Sequence, residues 1–173
     1  MLKMLKSPKL EIQSDSLEKI AKYAAEQAAR KHKRLVVVED SGLFVEALDG
    51  FPGPYSSYVH ATIGCEGILR LMRNENRRYA YFQASLALAA ARKSVQSFSG
   101  KVYGTISRQI LGKSGFGFDP IFIPEGTQAT FAQGGTEFKM RYSHRSKAFR
   151  KLAKMLLDPS LDADNNRFRS AES

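Results

Sequence analysis

The sequence predicts an α/β fold in which a long mixed β-sheet is flanked by helices. From Asp15 onward apolar side chains recur at helical spacing, and Glu18 lies three residues beyond Asp15, as in a capping box. The β-branched run 35–38 predicts a strand buried on both faces. Strand-like alternation over 78–90 predicts a longer strand. Helical and extended patterns thus alternate along the chain without internal repeats, as in α/β proteins.

Several shorter segments also carry the patterns of regular structure. They are a helix over 64–72, hairpin strands over 95–98 and 102–106 around a turn at 99–101, a strand over 121–123, and a last helix that begins near Ser143 and is stopped by Asp158 and Pro159. Two prolines around a glycine in residues 51–58 predict a shaped loop instead. A glycine-rich loop is predicted over 112–120. These patterns indicate one domain over 1–157 and a polar tail over 158–173.

Composition excludes several classes of protein. With 173 residues, 43% of them hydrophobic, the chain can bury a core of its own. The single cysteine, Cys65, excludes an internal disulfide and a four-cysteine zinc site. No apolar run approaches the roughly 18 residues of a membrane span, and no signal-peptide pattern is present at the start. We therefore expect a cytoplasmic protein without a membrane partner.

The chain is strongly basic, with 27 Lys and Arg residues against 17 Asp and Glu residues and a formal net charge of +10. Such a charge indicates an anionic partner or a surplus that keeps the protein in solution. No block of like charge is long enough to indicate a disordered nucleic-acid-binding arm. A basic nucleic-acid-binding module stays an alternative, although no specific nucleic acid is expected.

Acidic residues lie where a ligand crevice is expected. Glu39 and Asp40 follow the predicted strand over 35–38, and the ends of buried strands border the ligand site in open α/β sheets. Glu11 lies just before the first helix. Mg²⁺ takes one or two carboxylates together with substrate phosphate oxygens. A solvated turn is the alternative interpretation of the acidic pair.

Two further segments are suited to binding a nucleotide. The loop over 112–120 combines glycines with Phe116, Phe118 and Asp119, and an aromatic face can stack on a base. Packing of both phenylalanines into the core is the alternative. The second segment is Ser143-His144-Arg145 at the start of the last helix, where the helix N-terminus and an arginine can bind an anion or a carbonyl oxygen.

Five strings, taken together, resemble the inosine triphosphate pyrophosphatase (Ham1) family. They occur in the family's order and approximate spacing between Lys9 and Leu157: Glu11-Ile12-Gln13, Val38-Glu39-Asp40-Ser41-Gly42-Leu43, Gly50-Phe51-Pro52-Gly53-Pro54-Tyr55-Ser56-Ser57, Phe116-Gly117-Phe118-Asp119-Pro120 and Ser143-His144-Arg145. The resemblance implies two lobes with the nucleotide between them. It implies hydrolysis of ITP, dITP and XTP to the monophosphate and pyrophosphate, with Mg²⁺, by a homodimer.

The same resemblance assigns roles to individual residues. Asp40 would be the catalytic base or a metal ligand, and Glu11 would share the metal with it. Lys139 would contact the phosphates, and Arg145 would donate to O6 of a 6-oxo purine, where adenine carries an amino group. Nine residues would bind substrate, namely Ser41, Phe116, Gly117, Phe118, Asp119, Lys139, Ser143, His144 and Arg145.

One family motif is absent from this sequence. The Thr/Ser-x-Asn-x-x-Lys string that opens the family's domain and binds the triphosphate has no counterpart among the asparagines present. A catalytically impaired homologue, which binds ITP without turning it over, is therefore the alternative to an active enzyme.

Overall fold

The computed structural model describes residues 3–5, 9–91 and 94–157. The helices in these ranges are α1 (Leu17–His32), α2 (Ser56–Thr62), α3 (Gly64–Leu71), α4 (Phe131–Tyr142) and α5 (His144–Leu157). The strands are β1 (Val36–Val45), β2 (Pro52–Gly53), β3 (Tyr79–Ala89), β4 (Gln96–Ile106) and β5 (Phe122–Pro124). Short 3₁₀ turns lie at Glu46–Leu48 and Asp119–Ile121. No helix among the described residues is long and apolar enough to cross a membrane.

The strands form one sheet with the order β2-β1-β3-β4-β5. Its centre is three long strands, with Val36 of β1 opposite Ala89 of β3 and Tyr79 of β3 opposite Thr105 of β4. Every described pair of strands is antiparallel, so the parallel pair expected of a mixed sheet does not lie among them. The α/β class is confirmed, because helices cover this sheet.

Different helices cover the two faces of the sheet. Alanines of α1 pack on Ala87 and Ala89, and Val36 and Val38 of β1 join them; we call this side the α1 face. Val37 belongs instead to the cluster that contains Ala148 and other residues of α5, which defines the α5 face. Because successive strand side chains point to opposite faces, neighbouring residues of β1 contact different helices. A larger core continues the α5 face toward β5.

The predicted end of the first strand was wrong. β1 does not stop at residue 38 but runs to Val45, with the acidic pair Glu39 and Asp40 in its interior. The strand continues because residues distant in the sequence neutralise both acids, Arg145 for the first and Lys9 for the second. Such tertiary contacts override the low strand propensity of acidic residues.

Three local predictions of secondary structure also differ from the structure. The hairpin expected at 99–101 is a continuous strand, β4, because Gly100 is a point of close approach to α5 and not a turn. The cap of α1 is Ser16, whose hydroxyl accepts from the Lys19 amide at 3.3 Å, and not Asp15. The loop expected at 51–58 contains β2 and the start of α2.

The sequence prediction missed α4, although its signal is present. Thr130 caps this helix and forms a capping box with Gln133, the pattern that opens many helices. By contrast, the helix over 64–72, the strands over 78–90 and 121–123 and the last helix correspond to α3, β3, β5 and α5. The predicted tail over 158–173 lies outside the described residues, and the division into domain and tail stays a prediction.

Gly100→Ala is expected to destabilise the protein by about 1–3 kcal/mol through overpacking. A methyl group at this position would collide with the His144 carbonyl oxygen and the Ala148 amide nitrogen of α5, and backbone atoms cannot move aside as a flexible side chain would. Urea denaturation measures the change. Ser99→Ala, at the exposed neighbouring position, serves as the control, and equal stability of the two variants would contradict the close packing of α5 on β4.

Candidate active site

Three consecutive residues of β1 form the centre of the candidate site. Glu39 and Ser41 contact Arg145 on the α5 face, whereas Asp40 contacts Lys9 on the opposite face. β2 pairs only with Leu43 and Phe44 of β1. Within the described residues, β1 from Val36 to Gly42 therefore has β3 on one side and an open edge on the other. The two groups of charged side chains border the same open edge.

Arg145 is held in place by two hydrogen bonds to β1. Its Nε donates to Glu39 Oε1 at 2.7 Å, and its Nη2 donates to Ser41 Oγ at 2.8 Å. The guanidinium carbon lies 4.9 Å from the centre of the Phe116 ring. Ser143, directly before α5, accepts from the Arg145 amide through its hydroxyl at 3.1 Å. The arrangement leaves Nη1 with no hydrogen bond to the described residues, beside an exposed aromatic ring.

Asp119 organises the glycine-rich loop from a buried position. The residue is only 1% exposed, and its Oδ2 accepts from the Phe116 amide at 2.9 Å and from the Lys139 ammonium. Gly115, at φ +81°, is required because a side chain there would collide with this carboxylate. Lys139 Nζ also lies 3.7 Å from the centre of the Phe116 ring. Burial lowers the pKa of Lys139, against the opposing effect of Asp119.

The two phenylalanines of the loop have different environments. Phe116 is 60% exposed, whereas Phe118 is 2% exposed and belongs to the main core. His60 contacts the Phe118 ring edge-on, with the ring centres 5.2 Å apart. Gly117 lies between them at φ +62°, and its carbonyl oxygen faces the Cys65 thiol at 3.5 Å. The structure therefore leaves Phe116 largely exposed, with Lys139 and Arg145 near its ring, and gives Phe118 the core position that was the alternative.

His144 is a buried, uncharged histidine. It is 3% exposed, its ring stacks on Phe82 with the centres 5.0 Å apart, and Nδ1 has no hydrogen-bond partner in the described residues. Burial lowers its pKa to about 3, and the positive charges of Arg145, Lys139 and Lys147 act in the same direction. The side chain therefore supports the α5 N-terminus in neutral form.

The buried neutral state of His144 predicts a loss of stability in acid. An unfolded histidine takes up a proton near pH 6.5, but the native one does so only near its pKa of about 3. Between these values the unfolded state binds the extra proton, so stability falls by up to about 1.4 kcal/mol per pH unit as the pH decreases. We expect His144→Gln to reduce the stability lost between pH 7 and pH 5 in urea denaturation. Identical losses for both proteins would contradict this assignment.

Asp40 lies on the α1 face with Lys9 and Glu11. Lys9 Nζ is 2.9 Å from Asp40 Oδ1 and 2.7 Å from Glu11 Oε1, so one ammonium group bridges both carboxylates. Asp40 Oδ2 is buried and has no hydrogen-bond partner among the described residues. Burial raises the pKa of the Asp40 carboxyl, against the opposing effect of Lys9.

Comparison with known proteins identifies the family. A sequence profile described as the Ham1 family matches residues 1–155. The chain belongs to the Ham1 family. A protein named dITP/XTP pyrophosphatase from Hyperthermus butylicus is 53% identical to it over 148 residues, which are 86% of this chain and 77% of the relative. A protein of the same name from Saccharolobus solfataricus is 50% identical over 155 residues, which are 90% of this chain and 80% of the relative.

Solved structures of other Ham1 proteins share the fold. The Ham1 protein of Staphylococcus aureus is similar with a TM-score of 0.81 and 32% identity, covering 87% of this chain and 81% of the other. A HAM1 protein from Coxiella burnetii gives a TM-score of 0.81 and 28% identity, covering 86% of this chain and 80% of the other. The family resemblance inferred from five sequence strings is thereby confirmed.

The carboxylates of this Ham1 chain are suited to a divalent cation. Glu11 and Asp40 already share one positive charge, the ammonium of Lys9, and Asp40 Oδ2 is a further buried oxygen without a partner. No group of three or more His, Cys, Asp or Glu residues that could hold a metal occurs in the described part of the chain. Two carboxylates are nevertheless the usual protein share for Mg²⁺ when phosphates supply other ligands. The donor set therefore fits Mg²⁺.

Sequence reasoning missed two polar contacts and one buried polar residue of this Ham1 site. Lys9 lies in a segment with little pattern, and the pairing of Glu39 with Arg145 joins residues far apart in the chain. Ser85 is a buried serine in β3, opposite Asp40. The one available signal was the isolated serine itself, in a strand otherwise rich in alanine and leucine.

Proposed function

We propose that this chain hydrolyses non-standard purine nucleoside triphosphates, namely dITP, ITP and XTP, to the nucleoside monophosphate and pyrophosphate. Relatives that are half identical to it bear the name dITP/XTP pyrophosphatase. The observation that carries the proposal is the placement of a guanidinium group beside an exposed aromatic ring, and of a buried carboxylate, along one edge of β1. Phe116 and Arg145 lie on one side of β1, and Asp40 lies on the other.

Base selection follows from the donors of Arg145. A guanidinium group only donates hydrogen bonds, and Nε and Nη2 are occupied by Glu39 and Ser41. Nη1 is available to O6 of hypoxanthine or xanthine, while the exposed Phe116 ring stacks on the base. Adenine presents an amino group at the same position, and two donors cannot pair. The pocket therefore favours 6-oxo purines over adenine.

Asp40 is suited to activating the attacking water. Its carboxylate accepts a proton from the water as the water oxygen bonds to the α-phosphorus. The bond from that phosphorus to the bridging oxygen breaks, and its electron pair leaves with pyrophosphate. Cationic side chains stabilise the charge that develops on the phosphate oxygens. Phosphate contact by Lys139 stays a prediction, since Lys139 lies on Asp119 and Phe116.

Glu11 and Asp40 would hold Mg²⁺, which would exchange with the Lys9 ammonium at the same two carboxylates. When bound, Mg²⁺ supplies positive charge to the triphosphate oxygens. The carboxylate oxygens of Glu11 and Asp40 would be its ligands from the protein. A cytoplasmic location stays a prediction of the sequence.

We also propose a homodimer formed through an aromatic row on the α1 face. Phe44 stacks on Tyr81 with the ring centres 4.9 Å apart, and the centre of the Tyr103 ring lies 5.7 Å from that of Tyr81. The three rings line a cavity of about 710 Å³. Uncovered aromatic surfaces of this kind mark protein interfaces. Lys101 above Tyr81 and Glu46 at the rim supply opposite charges for a two-fold pairing. Sedimentation velocity should give a dimer for the wild type and a monomer for Tyr103→Arg; a monomeric wild type would contradict the proposal.

Product analysis tests the proposed activity. We expect the full chain, incubated with dITP and Mg²⁺, to form dIMP and pyrophosphate in equal amounts, as measured by phosphorus NMR. Formation of dIDP and phosphate would overturn the proposal, because attack would then occur at the γ-phosphorus. Binding of dITP without any product would favour the impaired nucleotide-binding homologue.

A further inference from the structure

Ser85 is a polar residue in a position that the packing alone does not require. It lies on β3 directly opposite Asp40 of β1 and Ser99 of β4, so the three side chains form a row on the α1 face. Ser85 is 0% exposed, and most of its neighbours on β3 are alanines or leucines that are equally buried. A small apolar residue would fill the same space.

The Ser85 hydroxyl and the Asp40 carboxylate each carry an unused hydrogen-bonding atom. Ser85 Oγ and Asp40 Oδ2 are both buried, and neither has a partner in the described residues. Leaving a buried polar group unpaired is unfavourable, so such atoms in a native protein call for an explanation. The two are complementary, since a hydroxyl donates and a carboxylate oxygen accepts. They also belong to directly opposed residues of neighbouring strands.

We propose that Ser85 is a positioning residue that donates a hydrogen bond from its hydroxyl to Asp40 Oδ2 and so fixes the orientation of the carboxylate. Oδ1, the atom that Lys9 contacts at 2.9 Å, then stays oriented toward the position proposed for the cation and the attacking water. Directly opposed side chains of neighbouring strands have Cβ atoms about 4.5–5.5 Å apart, a separation that a rotated serine side chain can bridge to a carboxylate. The inference rests on the proposed function of Asp40.

The ion pair with Lys9 does not make this contact redundant. Lys9 bonds only Oδ1, and the ammonium also serves Glu11, so it constrains one oxygen of Asp40 and leaves the other unrestrained. Glu39 and Ser41, the chain neighbours of Asp40, are occupied by Arg145 on the other face. Ser85 is the directly opposed residue on β3, and its hydroxyl can supply the donor that Asp40 Oδ2 lacks.

Ser85→Ala tests the inference, with Ser99→Ala as the matched control at the exposed next position of the row. Partners that orient a metal-binding carboxylate typically change activity or metal affinity about 10- to 100-fold. We expect Ser85→Ala to lower kcat for dITP by at least about tenfold, with KM within about twofold of the wild type. Its Tm should fall slightly, because the substitution leaves the buried Asp40 Oδ2 without a donor.

Binding of Mn²⁺, measured by calorimetry in the absence of nucleotide, gives a readout separate from activity. We expect the Kd for Mn²⁺ to rise by about tenfold or more in Ser85→Ala and to stay unchanged in Ser99→Ala. Values of kcat and Kd within twofold of the wild type would overturn the inference while leaving the proposed function intact. If the wild type does not hydrolyse dITP, the proposed function fails, and the comparison of Mn²⁺ affinities still decides the role of Ser85.

Discussion

Asp40→Asn is expected to lower kcat for dITP by about 100- to 10,000-fold, the range that a general base contributes. Asparagine has the same size and shape but cannot accept the proton of the attacking water, and it lacks the charge that attracts a cation. The fold should remain intact, because the Asp40 side chain is mostly buried and its charge is disfavoured there, as the raised pKa indicates. Steady-state release of pyrophosphate measures the effect, and Tm checks the fold.

Asp49→Asn is the matched control for this substitution. Asp49 is an exposed acid at φ +51° in the turn after β1, a conformation that asparagine also adopts readily. We expect wild-type kcat for this variant. If Asp40→Asn kept more than a third of the wild-type kcat, Asp40 would be neither the base nor an essential metal ligand.

Arg145→Ala is expected to reduce the preference for dITP over dATP by about 10- to 100-fold. This range corresponds to the roughly 1.5–3 kcal/mol of a hydrogen bond made by a charged group. The loss should lie mainly in kcat/KM for dITP, because only the 6-oxo base offers an acceptor to the guanidinium. The measurement is the ratio of kcat/KM values for the two nucleotides.

Two further variants serve as controls for Arg145→Ala. Arg145→Lys keeps the charge but cannot bond Glu39 and Ser41 together, so we expect it to restore little of the preference. Arg150→Ala removes an exposed arginine from the same helix and should leave the preference unchanged. If Arg145→Ala kept the full preference for dITP over dATP, Arg145 would be excluded as the residue that donates a hydrogen bond to O6.

The sequence was informative where function depends on short strings of residues. Phe116 to Asp119 lie together because one turn of chain folds around the Asp119 carboxylate, and Ser143 to Arg145 lie together at the start of α5. These contacts span only a few residues, so local patterns contain them. The family resemblance and the α/β class followed from the same strings.

The sequence was less informative where long-range contacts decide the structure. Arg145 and Glu39 are separated by 106 positions, and Lys9 and Asp40 by 31, so no local pattern indicates these pairs. The same contacts keep the acidic pair inside β1, where propensity alone predicts the end of a strand. Gly100 illustrates the converse case, because a glycine that permits helix packing has the same local signature as a glycine in a turn.

The most direct test of the account is the kcat/KM of the full chain for dITP relative to dATP in the presence of Mg²⁺, with pyrophosphate as the measured product. A pocket that pairs a donor with O6 predicts a preference for dITP of at least about 100-fold. Equal values for the two nucleotides would contradict the assignment of Phe116 and Arg145 as the base pocket. Absence of pyrophosphate from both would contradict the proposed activity itself.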